Sequence, residues 1–321
     1  MARNCKVISV YFGDRKYYPQ NADDSIEVLK DVIKNEILLN PGVDQLDTIL
    51  VNHDCGKKEA NEYLDSLDNL KTHSGRIRVI HRPNDRIGMS FASFNYAFET
   101  FRDDYDYWFF QEDDYKLIYQ NYYSEGIDRL NKNPKLAFLG YDRQYHTYDG
   151  FQDLVGYLHE DINQLIEYNG VSDISELYGG KYYDIYNECM VFLKKLVNDF
   201  NNLDFQPIAD GGMGLTHRDF LDEVYKKNGS LPYVDIPRPK TIKKIDKSNK
   251  KLQLYLGPSV KILGTPVNEQ PVEYNLWWLM NVFMGELRFA NIFIDYGYII
   301  DMFDIGKDVP LIYSYKGKKE R

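Results

Sequence analysis

The chain has 321 residues, of which 43% are hydrophobic, so it is long enough to bury a core, and this excludes disorder as the default state. Its 49 acidic and 39 basic side chains give a formal net charge of −10, which disfavours a nucleic-acid partner because the protein repels a polyanion. The three cysteines, Cys5, Cys55 and Cys189, are too few and too scattered for a disulfide framework or a structural zinc site.

The apolar runs are short throughout the chain. The first one ends within a few residues, at Asp14 and Arg15, and lacks the extended apolar stretch of a secretory signal. No later run approaches the roughly 18 to 20 apolar residues that span a bilayer. We therefore expect a soluble, cytoplasmic protein whose cysteines are free thiols.

The first half of the chain alternates predicted strands with predicted helices. Apolar and β-branched runs indicate strands, and apolar residues at helical spacing indicate helices. In chain order these are a strand at Lys6–Phe12, a helix at Ser25–Leu39, a strand at Asp47–Asn52, a helix at Lys58–Leu70, a strand at Arg76–His81, a helix at Ser90–Arg102 and a strand at Tyr107–Gln111. This alternation predicts an open, twisted, mostly parallel α/β sheet flanked by helices.

Polar segments follow the four predicted strands. They are Tyr11-Phe12-Gly13-Asp14, Asn52-His53-Asp54, Asn84-Asp85-Arg86-Ile87-Gly88 and Glu112-Asp113-Asp114. Because open α/β sheets bind ligands at the carboxyl ends of their strands, we expect all four segments to lie at one edge.

The acidic triplet Glu112-Asp113-Asp114 closes a hydrophobic aromatic strand. Three consecutive carboxylates repel one another, and burial raises the cost unless a divalent cation neutralises them. A cation that bridges carboxylate and diphosphate oxygens would also stabilise a departing nucleoside diphosphate. The alternative interpretation is an acidic turn that faces solvent.

The order and spacing of these segments resemble the nucleotide-sugar half of GT-A glycosyltransferases, especially the family-2-like group. That group carries an acidic residue after the second strand, an N-x-G followed by A-x-N after the third, and a D-x-D-like triplet after the fourth. The matching residues here are Asn52 and Asp54, then Asn84, Gly88, Ala92 and Asn95, then Glu112-Asp113-Asp114. The resemblance covers about the first 140 residues.

The resemblance implies a Rossmann-like GT-A fold and a nucleotide-sugar donor, UDP- or GDP-linked. It places a base and ribose pocket at the first two strands and a Mn²⁺ or Mg²⁺ ion on Asp114 and Glu112. The implied donor-binding residues are Tyr11, Phe12, Asp14, Asn52, Asp54, Asn84, Arg86, Gly88 and Asp113.

Two positions depart from the pattern of the family. Asn52 stands where aspartate is common, and Arg86 lies inside an N-x-x-x-G segment that is wider than the usual N-x-G. Arg86 is then a phosphate or ribose contact, or a solvated loop residue.

The second half shows weaker patterns. A strand at Leu136–Tyr141 and a strand at Glu188–Phe192 that leads into a helix resemble the acceptor side of the same enzymes, whereas residues 141–180 are left unassigned. The sequence predicts a catalytic domain over residues 1–235, divided near residue 115 into donor and acceptor halves. A basic linker and a helical C-terminal extension follow over 236–321. Its apolar helix at Glu273–Phe289 would pack on the sheet, form a homodimer face or touch a membrane surface.

The stretch around residues 210–219 offers candidates for the base that deprotonates an acceptor hydroxyl. A glycine-rich segment precedes Asp219, which is the first choice, and Asp210 is the second. Thr216 and Asp219 also fit a capping box, in which both side chains only satisfy helix-end amides. His217 is either an additional metal ligand or diphosphate contact, or a structural histidine.

These features together predict a metal-dependent, inverting glycosyltransferase that acts on a carbohydrate acceptor in glycan or polysaccharide synthesis. A sugar-nucleotide nucleotidyltransferase would share the sheet and the metal carboxylates, but it usually has an early glycine-rich loop, and only Gly13-Asp14-Arg15-Lys16 follows Phe12. A non-catalytic carbohydrate-binding protein would explain the 28 tyrosines but not the acidic triplet. Tyrosines in an aromatic-rich core are the simpler interpretation of that count.

Overall fold

The computed structural model describes residues 2–10, 25–53, 58–82, 88–144, 172, 191, 208–209, 211–233, 285, 288–304, 311–314 and 319–320. The strands are β1 (Asn4–Val10), β2 (Asp47–Asn52), β3 (Ile77–His81), β4 (Tyr107–Glu112), β5 (Tyr115–Leu117), β6 (Leu136–Gly140), β7 (Arg143–Gln144), β8 (Ile208–Ala209), β9 (Met213–His217), β10 (Ile299–Met302), β11 (Ile312–Ser314) and β12 (Lys319–Glu320). The helices are α1 (Ser25–Leu38), α2 (Lys58–Leu67), α3 (Met89–Phe101), α4 (Tyr122–Lys132) and α5 (Arg218–Asn228), and residues 288–295 are also helical.

A seven-stranded sheet organises the described residues, in the order β10-β6-β9-β4-β1-β2-β3. Its strands pair in parallel except for β9, which is antiparallel to both neighbours, β4 and β6. The prediction of an open, mostly parallel GT-A-type α/β sheet with flanking helices is therefore confirmed. A smaller sheet, β12-β11-β5, and the pair β7-β8 complete the described strands.

The predicted elements of the first half are present, with ends that differ by at most three residues. The elements that we did not predict include α4 and β9. The glycine-rich segment that precedes Asp219 runs into β9, in the middle of the sheet. Of the predicted strand Glu188–Phe192, the structure describes Val191 alone, and it is helical, so that prediction is wrong at this residue.

An aromatic core joins α3 to the sheet. Phe94 of α3 packs on Phe110 of β4 and on Phe289, with ring centroids 4.9 and 5.6 Å apart. Phe98 meets Trp108 edge to face at 5.2 Å. These side chains are fully or almost fully buried, so each contributes on the order of 1.5–3 kcal/mol through burial.

Buried tyrosines pack in a second core cluster, on the face of the sheet opposite to α3. The Tyr123 hydroxyl donates to the carbonyl oxygens of Cys5 and Tyr107, both at 2.9 Å, and the Tyr141 hydroxyl donates to the Tyr122 carbonyl at 2.6 Å. For these three tyrosines, packing in the core rather than contact with a sugar is the role that the structure shows.

The C-terminal segment is part of the same sheet and core. β10 pairs in parallel with β6, and β11 pairs with β5. Phe289 and Phe293 are 1% exposed within the main core cluster. Residues 288–304 therefore contribute to the same sheet and core as the first half of the chain, whereas the predicted division at residue 235 treated them as part of a separate extension. The rest of the predicted helix Glu273–Phe289, apart from 285 and 288–289, and the basic linker lie outside the described residues.

Gly214 allows β9 to occupy the centre of the sheet. A Cβ atom at this position would lie 2.2 Å from Cζ of Phe138 and 2.9 Å from the carbonyl oxygen of Leu139. We expect Gly214→Ala to lower the free energy of unfolding by about 1–3 kcal/mol through overpacking, measured by urea denaturation. Phe138→Leu should recover part of this loss in the double variant, and additive losses would contradict the assigned clash.

Cys5 lies on β1 and is a free thiol, and burial raises its pKa well above the usual range. Cys55 and Cys189 lie outside the described residues. No helix in the described part of the chain is both long and apolar enough to cross a membrane.

Candidate functional site

The carboxyl ends of the central strands form one polar edge. The register pairs Val10 with Asn52 and Asn52 with His81, and it pairs Ser9 with Glu112. The segments after β2 and β4 thus lie at the same edge, as the sequence predicts for them.

The acidic triplet forms the turn between β4 and β5. Glu112 is partly exposed, whereas Asp113 and Asp114 are 7% and 8% exposed. Nε2 of the fully buried Gln111 donates to the Tyr115 carbonyl at 2.8 Å, and this bond closes the turn. The alternative of a solvated acidic turn does not fit Asp113 and Asp114, because their carboxylates are withdrawn from water.

The carboxylate oxygens of the acidic turn suit a hard divalent cation, because Mg²⁺ and Mn²⁺ prefer such ligands. Among the residues that the structure describes, no three His, Cys, Asp or Glu side chains form a metal site by themselves. Mg²⁺ in phosphate-transferring sites is commonly held by one or two carboxylates together with substrate phosphates. Two carboxylates of the triplet are sufficient for a site of that kind.

Asp142 is a third buried carboxyl group at this edge, and it was not among the residues predicted from the sequence. It follows β6, it is 3% exposed, and the preceding amide of Tyr141 donates to the Met213 carbonyl at 2.9 Å. β9 separates β6 from β4, which places Asp142 about two strand spacings, or about 10 Å, from the end of β4. A single aspartate after an apolar strand is a weaker signal than three consecutive carboxylates, so Asp142 became recognisable only from the strand order.

Asn52 is fully buried, and both hydrogens of its amide nitrogen face protein side chains. Nδ2 lies 2.8 Å from Oδ1 of Asn61 and 3.2 Å from Nδ1 of His81. A nucleotide contact by Asn52 would therefore have to use Oδ1.

Gly88 and Asn95, which belong to the N-x-x-x-G and A-x-N match, have structural roles. Gly88 has φ of 68°, and its carbonyl accepts from the Ala92 amide at 2.9 Å as α3 begins. A Cβ atom there would lie 2.5 Å from the Tyr233 ring. Oδ1 of Asn95 accepts from the Leu231 amide at 2.8 Å and ties α3 to the segment after α5.

His217 and Asp219 lie away from the acidic turn, which corrects their predicted roles. Because β9 is antiparallel to β4, His217 pairs with Tyr107 at the start of β4, five residues or about 17 Å from Glu112. The His217 ring packs edge to face on Tyr107 at 4.8 Å. His217 as a metal ligand and Asp219 as the base of the same site are thus excluded by the strand direction.

The helix cap at this position also differs from the predicted capping box. His217 is the N-cap of α5, and its Nδ1 accepts from the Asp219 amide at 3.2 Å. The Thr216 hydroxyl donates instead to the Ala137 carbonyl at 2.6 Å.

Seven of the predicted site residues lie outside the part of the chain that the structure describes. They are Tyr11, Phe12, Asp14, Asp54, Asn84, Arg86 and Asp210.

His53, Ser9, Ser93 and Arg82 form a second polar group at the carboxyl edge, here called the His53 cluster. The cluster joins the ends of β1, β2 and β3 to α3, and each member is at most 7% exposed. Sequence reasoning placed His53 at the edge but assigned it no role, and it overlooked Ser9, Ser93 and Arg82. No local pattern reveals the cluster, because its members come from four separate elements.

No protein-family model matches the chain, and no curated protein matches it in sequence. Among solved structures, it is similar to the mannosyltransferase PcManGT from Pyrobaculum calidifontis in complex with GDP-Man and Mn²⁺, with 11% identity and a TM-score of 0.36 over 92% of this chain and 75% of that one. It is also similar to the mannosyltransferase Ktr4p from S. cerevisiae, with 10% identity and a TM-score of 0.35 over 94% and 68% of the two chains.

A third similar structure is the 4-diphosphocytidyl-2C-methyl-D-erythritol synthase from Anaerococcus prevotii, with 12% identity and a TM-score of 0.27 over 46% of this chain and 58% of that one. All three TM-scores lie below 0.5, so we base the function on the sheet topology and on the residues at its carboxyl edge. The chain has a GT-A-type, Rossmann-like α/β sheet whose fourth strand ends in a largely buried acidic turn.

Proposed function

We propose that the protein is a glycosyltransferase that moves a sugar from a nucleotide-diphosphate donor to a hydroxyl of a carbohydrate acceptor, in glycan or polysaccharide synthesis. The observation that carries this proposal is the acidic turn Glu112-Asp113-Asp114 at the carboxyl end of β4. It lies beside β1 in the sheet, where open α/β folds bind nucleotides. Two nearly buried carboxyl groups at such an edge suit a cation and a diphosphate better than they suit a neutral ligand.

Glu112 and Asp114 would hold Mn²⁺ or Mg²⁺, and Asp113 would contact the donor. When bound, the cation neutralises the charge that develops on the departing nucleoside diphosphate. The protein contributes a fixed turn, because the Gln111 to Tyr115 hydrogen bond and the β4 ladder hold the three residues in place. Preorganised carboxylates of this kind lose little freedom when the donor arrives.

An inverting single displacement also needs a base on the acceptor side of the sheet. Asp210 remains our proposal from the sequence, and Asp142 is the described carboxyl group at the end of an acceptor-side strand, β6. Either group would accept the acceptor's hydroxyl proton as the oxygen attacks the anomeric carbon. Asn replacements at the two positions distinguish them, because the base variant should lose transfer and keep donor binding.

The test is a donor panel assayed for nucleoside diphosphate release. Purified protein is incubated with UDP-, GDP-, CMP- and dTDP-linked sugars, GDP-mannose included, with Mn²⁺, with Mg²⁺ or with EDTA. Metal-dependent release from one nucleotide class supports the proposal. Pyrophosphate release from a nucleoside triphosphate and a sugar 1-phosphate would instead identify a nucleotidyltransferase, and sugar binding without either reaction would identify a binding protein.

A further inference from the structure

Gln111 is a polar side chain in an apolar part of the sheet. It directly precedes Glu112 in β4, and it is 0% exposed. The register sets it beside Ile8 of β1 and Met213 of β9, and both of these side chains are also 0% exposed. Because paired residues in neighbouring strands project from the same face of a sheet, the Gln111 amide is flanked by apolar side chains.

The two ends of the Gln111 amide differ in their hydrogen bonding. Nε2 donates to the Tyr115 carbonyl at 2.8 Å, and because a carbonyl oxygen only accepts, the amide nitrogen must be the atom that faces it. Oε1 has no hydrogen-bond partner among the residues that the structure describes. A buried acceptor without a donor lowers stability, so the fold as a whole gains little from glutamine over an apolar side chain of the same size.

The hydrogen bond from Gln111 spans the acidic turn. It joins the residue before Glu112 to the residue after Asp114, so all three carboxylates lie within the loop that it closes. The described strands β4 and β5 belong to different sheets, and they do not pair with each other across this turn. A side-chain hydrogen bond, instead of a strand ladder, therefore bridges the two ends of the turn.

A second side-chain amide holds the far end of β5. Nδ2 of Asn35, on α1, donates to the Leu117 carbonyl at 2.6 Å. Leu117 lies two residues beyond Tyr115 and is fully buried. Two amides thus donate to the same short strand, and only the Gln111 amide does so at the residue directly after the carboxylates.

We propose that Gln111 is a positioning residue for the divalent cation. Its Nε2 donor holds the end of the acidic turn, so that the carboxylates of Glu112 and Asp114 keep the spacing that the cation requires. This inference rests on the proposed function, in which these two carboxylates hold Mn²⁺ or Mg²⁺. Groups that orient metal ligands in this way typically change metal affinity by about 10- to 100-fold when they are removed.

Gln111→Met and Asn35→Leu form a matched pair of variants, because each replaces one donor to β5 with an apolar side chain of similar size. Mn²⁺ alone is titrated into each protein, and the bound ion is measured by electron paramagnetic resonance. We expect Gln111→Met to weaken Mn²⁺ binding at least about tenfold. Its melting temperature should stay close to that of the wild type, because removal of the unpaired Oε1 offsets the lost hydrogen bond. Asn35→Leu should lower the melting temperature and keep Mn²⁺ affinity within about twofold.

The rate of transfer provides a second readout. In Gln111→Met the Mn²⁺ concentration for half-maximal rate should rise in proportion to the loss of affinity, while kcat at saturating Mn²⁺ stays within about threefold of wild type. Gln111→Leu removes the same donor with a different side-chain shape. It should weaken Mn²⁺ binding to the same extent, whatever its melting temperature.

Unchanged Mn²⁺ affinity in Gln111→Met would overturn the inference. Losses of affinity that follow the melting temperatures of Gln111→Met, Gln111→Leu and Asn35→Leu alike would also overturn it, in favour of a purely structural side chain. A wild-type protein that binds Mn²⁺ but releases no nucleoside diphosphate from any donor would contradict the proposed function alone, so the two failures are distinguishable.

Discussion

Asp114→Asn is expected to lower the rate of sugar transfer by at least about a thousandfold while the fold is retained. The replacement keeps the size of the side chain and removes the charge that a divalent cation needs. Loss of several kcal/mol of charge stabilisation corresponds to a factor of this order, since about 1.4 kcal/mol is tenfold in rate. Initial rates at saturating donor and Mn²⁺ measure the loss, and circular dichroism together with the melting temperature verifies the fold.

Asp219→Asn is the matched control, because it makes the same chemical change in the first turn of α5, near the opposite end of β4. Its side chain is largely exposed beside His217, so we expect rates within about twofold of wild type and a small change in stability. Wild-type activity of Asp114→Asn would contradict the metal assignment. Loss of activity in Asp219→Asn at full stability would contradict the location of the site.

The largest expected effect on stability concerns the ion pair between Lys6 of β1 and Glu36 of α1. The side chains are 0% and 4% exposed, and the Lys6 ammonium also lies 5.1 Å from the Tyr122 ring centroid. Burial lowers the pKa of Lys6 even though Glu36 opposes the shift. Lys6→Met leaves the Glu36 carboxylate buried without its cation, and we expect a loss of about 3–5 kcal/mol in the free energy of unfolding.

The double variant Lys6→Met/Glu36→Leu removes both charges and should recover most of that loss, because neither partner is then left uncompensated. Urea denaturation of the wild type, both single variants and the double variant completes the cycle. Lys30→Met is the exposed control: it breaks the surface pair with Glu27 and should cost less than about 1 kcal/mol. A double variant as unstable as Lys6→Met would show that lost packing, not the unpaired carboxylate, determines the effect.

The first half of the fold could be predicted because its signals are local. β2 was predicted with its observed bounds, since its apolar and β-branched residues are confined to one short run. α4 was not predicted, although its buried residues Tyr122, Gly126 and Leu130 recur every four positions. Tyrosine and glycine contribute little to the apolar periodicity by which a helix is recognised in a sequence.

Elements that depend on distant pairing could not be predicted in the same way. β9 contains Gly214 and follows two further glycines, which is typical of a loop, and it becomes a strand because β4 and β6 pair with it on both sides. β10 joins β6 across more than 150 residues of chain. A long-range partner leaves no local signature in either segment.

The residues of the candidate site also divide into those with a local sequence signal and those that depend on the arrangement of distant strands. The acidic turn was visible because three carboxylates are consecutive in the sequence, after an aromatic strand. The roles assigned to His217 and Asp219 were wrong because they depended on the direction of β9, which the sequence does not show. Asp142 and the His53 cluster became recognisable only when the strand order brought their elements to one edge.

The most direct measurement of the central claim is calorimetric titration of the wild-type protein and of Asp114→Asn with UDP and GDP, each with Mn²⁺ and with EDTA. We expect one nucleoside diphosphate to bind the wild type when Mn²⁺ is present, with a large loss of affinity in EDTA and in Asp114→Asn. Absence of binding by every nucleotide, or equal affinity of the wild type and Asp114→Asn with and without Mn²⁺, would contradict a metal-dependent donor site at the end of β4.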